Sequence, residues 1–332
     1  HASPTCVMNF EGAEGWLVGV PHKGMRAMFT MMNHARLNVG LEGLALGHAA
    51  YLEALAFAKD RRQSRSLDPA KQELDEAADN ILVHPDVRRM LANVKVSNEG
   101  MRALAYWAAM QIDVAHHHPD EAQRQLADDF VALLTPVIKS YGTERGFANI
   151  SEAMQVMGGA GYTTDWSVEQ YLRDARIGMV YEGTNHIQAL DLIGRKLVQG
   201  QGRLYRNFSK HMFRFVKANK DNPELAEFTG PLEKAINTLN QTTMALGMKG
   251  MQDPEEVGAV GSNYLNLFAL TAIAWTWAEQ AKAALGKDSK FYRTKLKSAR
   301  YYYSNILPET ESLLALINAG KKNMMEFEAE DF

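Results

Sequence analysis

A mainly α-helical fold is predicted: a four-helix bundle, preceded by a short β remnant and followed by an additional helical domain. Three observations predict it. Apolar residues recur at the 3.6-residue helical spacing from Met25 onward. Helix-start chemistry, a proline with acid in the first turn, occurs at His84-Pro85-Asp86. A glycine stop follows a long helical run at Gly158-Gly159. The organisation read from these is the end of a β-domain over 1–24, a helical bundle over 25–198 and a helical extension over 199–332.

The elements follow in order. Thr5-Cys6-Val7-Met8-Asn9-Phe10 is β-prone, and Glu11–Gly15 is turn-rich before Trp16-Leu17-Val18. Leu37, Leu41, Leu44, Ala45, Ala49, Leu52, Leu55 and Ala56 form one helical stripe. The basic run Arg61–Arg65 suits the C-terminus of that helix. A second helix from Val87 carries Met90, Leu91, Val94, Met101, Leu104, Ala105 and Ala108, and stops near His116-His117-His118-Pro119-Asp120. A third is expected over Glu121–Tyr141, bent at Pro136, and a separate one over Arg145–Met157. Beyond Arg195, breaks are expected at Asn219–Pro223, Gly247–Gly261 and Gly286–Ser289, with a boundary near Gln199-Gly200-Gln201-Gly202.

Composition excludes several classes. The chain has 332 residues, 46% of them apolar, enough for a sizeable core. Its 36 basic and 39 acidic residues leave a net charge of −3, without the basic excess of a general nucleic-acid binder. A single cysteine, Cys6, rules out an internal disulfide and fits a reducing compartment. Val257–Ala278 carries no charge and has the length of a membrane span. Gly258, Gly261, Ser262, Asn263, Asn266, Thr271 and Thr276 interrupt it, so a buried core helix is expected and no membrane contact. The chain begins without Met and without a signal-peptide pattern, and reads as the inside of a longer protein.

Two segments carry chemistry. In Gln155-Val-Met-Gly-Gly-Ala-Gly-Tyr162 three glycines in four residues leave the backbone bare, which serves a helix cap or a close approach to phosphate. It is not the dinucleotide fingerprint of strand, glycines and helix. In Tyr181-Glu182-Gly183-Thr184-Asn185-His186-Ile187-Gln188, Glu182 sits at a break and Thr184 or Asn185 can cap the next helix. Glu182 there is either a polar loop residue or a base projecting into a cavity. The other conspicuous groups have plainer readings. Three adjacent histidines at 116–118 diverge around a helix and no metal site is expected. Met25, Met28, Met31 and Met32 read as core packing or as the lining of an apolar pocket. Tyr301-Tyr302-Tyr303 beside Lys295, Lys297 and Arg300 lacks the wider basic pattern of a nucleic-acid platform.

Taken together, Gln155-x-x-Gly158-Gly159-x-Gly161-Tyr162, then Arg173-Asp174-Ala175-Arg176, then Tyr181-Glu182-Gly183-Thr184-Asn185-x-Ile187-Gln188 resembles the acyl-CoA dehydrogenase flavoprotein signature. Upstream, Asn33-His34-Ala35-Arg36 with Gly40, Gly43 and Gly47, and Phe57-Ala58-Lys59-Asp60-Arg61, are similar to the family's first C-terminal-domain helix. Where the family usually carries a Phe-Gly pair after Arg61, this chain has Ser64-Arg65. That departure, Ile81–Leu91 and about 130 further residues beyond Leu197 are similar to the branch that includes 3-methylmercaptopropionyl-CoA dehydrogenase.

The resemblance implies a bundle that binds FAD and dehydrogenates an acyl-CoA thioester to the trans-2-enoyl-CoA. It implies Glu182 as catalytic base for the α-proton. It implies Arg61, Gln155, Gly158, Gly159, Thr184, Asn185 and Gln188 as cofactor contacts, with Gln155, Gly158 and Gly159 reaching the flavin of a neighbouring subunit. Arg36, Tyr181 and Gly183 stand on the substrate side. It also implies a homodimer or tetramer, electron-transfer flavoprotein as acceptor, and a bacterial cytoplasmic or mitochondrial-matrix location. An acyl-CoA oxidase would use the same base and glycines. A non-catalytic flavin- or nucleic-acid-binding relative is the remaining alternative.

Overall fold

The computed structural model describes residues 6–332. Twelve α-helices are formed in this span: α1 Gly24–Asp60, α2 Pro85–His117, α3 Glu121–Met157, α4 Gly159–Tyr162, α5 Val168–Ile177, α6 Asn185–Asp191, α7 Gln199–Ala218, α8 Ala226–Gln252, α9 Pro254–Ala284, α10 Lys290–Tyr301, α11 Glu309–Ala319 and α12 Lys322–Met325. Pro85 and Asp86 start α2 as expected, and Gly158, at φ 59°, stops α3. Asp120 caps α3 by accepting the Ala122 N–H. The long helices α1, α2 and α3 pack side by side. The short α5 lies across α1 and α3, and α6 sits on α3, so together they close the remaining side of the bundle.

The buried face of α1 is the expected leucine stripe only in part. Leu37 and Leu44 are buried, but the rest of the face is built mainly from Gly40, Gly43, Gly47, Ala50, Ala54 and Ala58, while Ala45, Leu52 and Ala56 are exposed. The reason is the partner. Gly142 and Gly146 of α3 face Gly40 and Gly43, and the two backbones approach each other directly. A Cβ on Gly43 would stand 2.5 Å from the Gly142 carbonyl oxygen and 2.7 Å from Thr143 Cα. Periodicity of large apolar residues cannot report a face whose function is to be small.

Three other expectations change. The β remnant is not formed: residues 6–20 contain no strand and are exposed, and Thr5 lies outside the described residues. A strand needs a neighbour for its N–H and C=O groups, and among the described residues only an isolated bridge, Arg62 to Asn80, has β pairing. Glu121–Tyr141 and Arg145–Met157 are one helix, α3, with Pro136 inside it. Its middle, from Leu133 to Thr143, is buried all round, and that packing overrides the local breakers. The turn between α8 and α9 is Asp253 alone, capping α9 through the Glu255 N–H, so the glycines between 247 and 261 lie within helices.

At Gly200, Gln201 and Gly202 three successive residues are left-handed, with φ of 57°, 56° and 81°, and the chain turns sharply into α7. Just beyond, Arg203 donates from Nε and Nη2 to the buried Asp129 carboxylate of α3 at 2.8 and 2.9 Å. The core continues across this turn: Phe130 and Leu134 of α3, Phe208 of α7 and Trp275 of α9 belong to one apolar cluster. A smaller cluster at the far end joins Ala54, Met90, Ile150 and Met157. Helix α9 has the length and apolarity of a membrane span, but 67% of its most apolar window is buried inside the protein. Tyr302 and Tyr303 donate to the Leu270 and Ala274 carbonyls of α9, which accounts for two of the three consecutive tyrosines.

Substituting Gly43→Ala in the full-length protein is expected to destabilise it. The overpacking term is about 1–3 kcal/mol, against the roughly 1 kcal/mol that alanine gains over glycine inside a helix. Chemical denaturation measures the balance, and a stabilised variant would show that the backbones do not meet there.

Candidate active site

The segment between α5 and α6 is shaped by backbone strain. Glu182 has φ 59° and Gly183 φ 85°, two left-handed residues in succession. For a non-glycine residue this conformation costs on the order of 1–3 kcal/mol and persists only where its surroundings enforce it. Arg36 Nε donates to the Glu182 carbonyl at 3.3 Å, and Gln188 Nε2 donates to the same oxygen at 3.1 Å. The next carbonyl, of Gly183, accepts from Lys139 Nζ at 2.7 Å and from Gln188 Nε2 at 3.3 Å. A Cβ on Gly183 would lie 2.7 Å from Gln188 Nε2 and would displace that amide, in addition to the strain that its φ imposes on any other residue. Thr184 caps α6 by accepting the Ile187 N–H at 3.4 Å.

Asn185 locks the turn onto α3. Its Oδ1 accepts from Lys139 Nζ at 3.1 Å and from Thr143 Oγ1 at 3.2 Å, and its Nδ2 donates to the Ser140 carbonyl at 3.2 Å. Arg36 is buried, faces Asp191 at 3.7 Å and lies 5.7 Å from the centre of the Phe29 ring. Tyr181 donates its hydroxyl to Glu42 at 2.6 Å. Burial first, then the hydrogen bond and charge of Glu42, raise the Tyr181 phenol above its ordinary value, so it remains a donor at neutral pH. Amid this network Glu182 Oε2 is buried and has no hydrogen-bond partner among the described residues. Such a group is costly unless a ligand completes it.

The glycine-rich segment forms a second site. Arg61, Gln63, Ser64 and His84 meet Gln155, Gly158, Gly159 and Ala160 around an open cleft of about 660 Å³. Arg61 Nη2 donates to Gln63 Oε1 at 3.1 Å. No atom lies within 4 Å of where a Cβ on Gly158 or Gly159 would stand. Bare backbone facing open space beside a guanidinium suits a phosphate-bearing ligand.

The structure therefore sorts the sequence-predicted residues into two groups. Arg36, Tyr181, Glu182, Gly183, Thr184, Asn185 and Gln188 come together around one loop. Arg61, Gln155, Gly158 and Gly159 come together at the other end of α1. Arg36 and Arg61 are 25 positions apart on or just beyond that helix, about 37 Å at 1.5 Å per residue. Sequence reasoning missed Lys139, Glu42 and Asp191. Of the four methionines, Met25, Met28 and Met31 are exposed and Met32 is half-buried, because the first turns of α1 extend past the bundle. His118 accepts the Asp120 N–H at the α2–α3 turn.

The family profile described as "Acyl-CoA dehydrogenase, C-terminal domain" matches residues 22–198, over half of the chain. The chain belongs to the acyl-CoA dehydrogenase family. A second profile, "Acetyl-CoA dehydrogenase C-terminal like", matches residues 208–328 of this family member. It is 36% identical to a 3-methylmercaptopropionyl-CoA dehydrogenase of Ruegeria pomeroyi over 93% of its own length and 53% of the relative's. It is 32% identical to the broad-specificity linear acyl-CoA dehydrogenase FadE5 of Mycobacterium tuberculosis over 99% of its length and 57% of the relative's. The chain spans about half the length of these curated relatives. Among solved structures, an acyl-CoA dehydrogenase of Bacillus anthracis complexed with FAD superposes with TM-score 0.71 at 17% identity, over 93% of this chain and 52% of that one. ACDH-11 of Caenorhabditis elegans in complex with C11-CoA does so with TM-score 0.69 at 17% identity, over 86% and 45%. At that identity the two share the fold.

Burial, with the nearby Arg36 adding repulsion and Glu182 opposing it, pulls the Lys139 ammonium down from the ordinary lysine value of 10.5 to about 8. Its folded pKa thus lies below its unfolded one. Between about pH 8 and 10.5 the unfolded chain binds more protons, so stability gained from this residue rises with pH across that window. The stability of the wild type relative to Lys139→Met is expected to increase from pH 8 to pH 10. Urea denaturation at the two pH values checks this, and a constant difference would mean that the amine is not depressed.

Proposed function

We propose that the full-length protein is an FAD-dependent acyl-CoA dehydrogenase that converts an acyl-CoA thioester to the trans-2-enoyl-CoA, with Glu182 as the base for the α-proton. The observation that carries this reading is the buried, unpartnered Oε2 of Glu182 on a loop whose two carbonyls are each held by a side-chain cation. Membership of the family, and the similarity to relatives named as acyl-CoA dehydrogenases, support it.

An α-C–H is a very weak acid, so a carboxylate removes its proton only if the enolate oxygen is stabilised at the same moment. The family resemblance assigns that oxygen to the Glu182 N–H. Locking the Glu182 and Gly183 carbonyls to Arg36, Gln188 and Lys139 fixes the two peptide planes that follow Glu182, and with them the left-handed turn from which its carboxylate projects. Pre-set groups need not reorganise as charge develops. In the proposed assignment Thr184 stands on the flavin side of this loop, while the Asn185 and Gln188 side chains are turned inward, onto α3 and onto the loop carbonyls. When bound, FAD supplies the acceptor for the β-hydride. The cleft of Arg61, Gln155, Gly158 and Gly159 fits the phosphates of such a dinucleotide, since its glycines open onto empty space.

Arg36 and Arg61, one in each site, are about 37 Å apart along α1, so the two sites lie toward opposite ends of that helix. This separation supports a homodimer or tetramer in which the cleft of one subunit serves the flavin beside another subunit's Glu182. Electron-transfer flavoprotein is the proposed acceptor. Sedimentation of the flavin-loaded protein is expected to give a dimer or larger, and a fully loaded monomer would overturn the shared-site reading.

Glu182→Gln keeps the size and removes the basicity. In the full-length protein, flavin content should be unchanged and anaerobic bleaching of the flavin by substrate should slow about 10²–10⁴-fold. Bleaching at the wild-type rate would assign the proton to another group.

A further inference from the structure

Lys139 lies in the middle of α3, outside every motif that pointed to the site, and its side chain is fully buried. Lysine is rarely buried so deeply without a charged partner. Among the described residues no carboxylate forms a salt bridge with it; its partners are the Gly183 carbonyl at 2.7 Å and Asn185 Oδ1 at 3.1 Å. All of its polar contacts therefore fall on the loop that carries Glu182. Arg36, from α1, holds the Glu182 carbonyl in the same way. Two cations from two helices each hold one carbonyl of the strained left-handed pair.

We infer that Lys139 is a positioning residue for Glu182. By holding the Gly183 carbonyl and the Asn185 side chain it maintains the left-handed turn at 182–183 and with it the direction of the carboxylate. The inference rests on the reading of Glu182 as the base. Arg36 and Gln188 grip the other side of the same turn, so losing Lys139 should loosen the loop without unfolding the bundle. A purely structural lysine would behave differently: its loss would lower stability and flavin content together, and would act whether or not Glu182 could take a proton.

The test uses the full-length, flavin-loaded protein with Lys139→Met, Glu182→Gln and the double variant. Butyryl-CoA and octanoyl-CoA serve as probes, and the faster of the two in the wild type is used throughout. The readouts are flavin content, KM, the rate of anaerobic flavin bleaching, and amide hydrogen exchange over residues 181–186. In Lys139→Met, bleaching is expected to slow about 10–10²-fold, one to two powers of ten below the general-base effect. Flavin content and KM should stay within about twofold, and exchange should quicken at 182–185. On the Glu182→Gln background the same substitution should add less than about twofold, because residues that act as a unit are non-additive. Lys139→Arg, which keeps the charge and the donors, should recover part of the lost rate.

Unchanged bleaching in Lys139→Met with Glu182→Gln inactive overturns this inference alone. So does a loss that multiplies in full on the Glu182→Gln background, or one that only tracks lost flavin. Wild-type bleaching in Glu182→Gln overturns the reading of Glu182, and this inference with it. If Lys139→Met does not accumulate as folded protein, Lys139→Gln is held to the same outcomes.

Discussion

The closeness of α1 to α3 is the constraint on which the rest of the site depends. Gly40, Gly43 and Gly47 on one helix, with Gly142 and Gly146 on the other, let two backbones meet with almost nothing between them. Gly40 rests directly on Ile138. Arg36 is one turn before Gly40, and Lys139 immediately follows Ile138. The same contact that packs the bundle thus delivers two cations to one place. With larger side chains in the seam the helices would stand apart, and the two groups could not both reach neighbouring carbonyls of a single loop.

Two buried positive charges side by side repel, and the surroundings answer that in several ways. Asp191 faces Arg36, the Phe29 ring lies within cation–π range of its guanidinium, and carbonyl and amide oxygens solvate Lys139. The oxygens that do so belong mostly to the loop between α5 and α6. The strained backbone at 182–183 is therefore held by electrostatics that the fold needs anyway, and the conformational cost of a left-handed glutamate is met by solvating two desolvated cations.

Legibility in the sequence followed the kind of signal each residue left. Glu182, Gly183, Thr184, Asn185 and Gln188 are contiguous, and a contiguous motif can be read without knowing what it packs against. Helix α2 was legible because Met90, Leu91, Val94, Met101 and Leu104 among its buried positions are large and apolar. The buried face of α1 was legible only at Leu37 and Leu44, since the rest of its information lies in smallness, which a hydrophobic stripe does not register. The middle of α3 was misread as a break for a related reason: Pro136 and Gly142 are local interruptions that tertiary packing overrules. Lys139 belongs to no motif, yet it left one trace. It is the single charge between Phe130 and Thr143, and a lone charge in a run otherwise suited to burial marks a buried ion. The β remnant failed because a strand is a property of a pair of segments, and no described segment pairs with residues 6–20.

Helix α9 gives the extension a meaning that its position in the chain does not suggest. It passes α6 at Gly261, close to Ala189 and Ile193, while Ser262 meets His186 and Trp277 lodges against Gly100 of α2. The helix that immediately follows the Glu182 loop thus leans on a segment seventy residues further along. Bundle and extension consequently share one apolar core, and the loop's geometry is buttressed from beyond the bundle itself. A shift of α9 would therefore be felt at α6, and through it at the turn that carries Glu182.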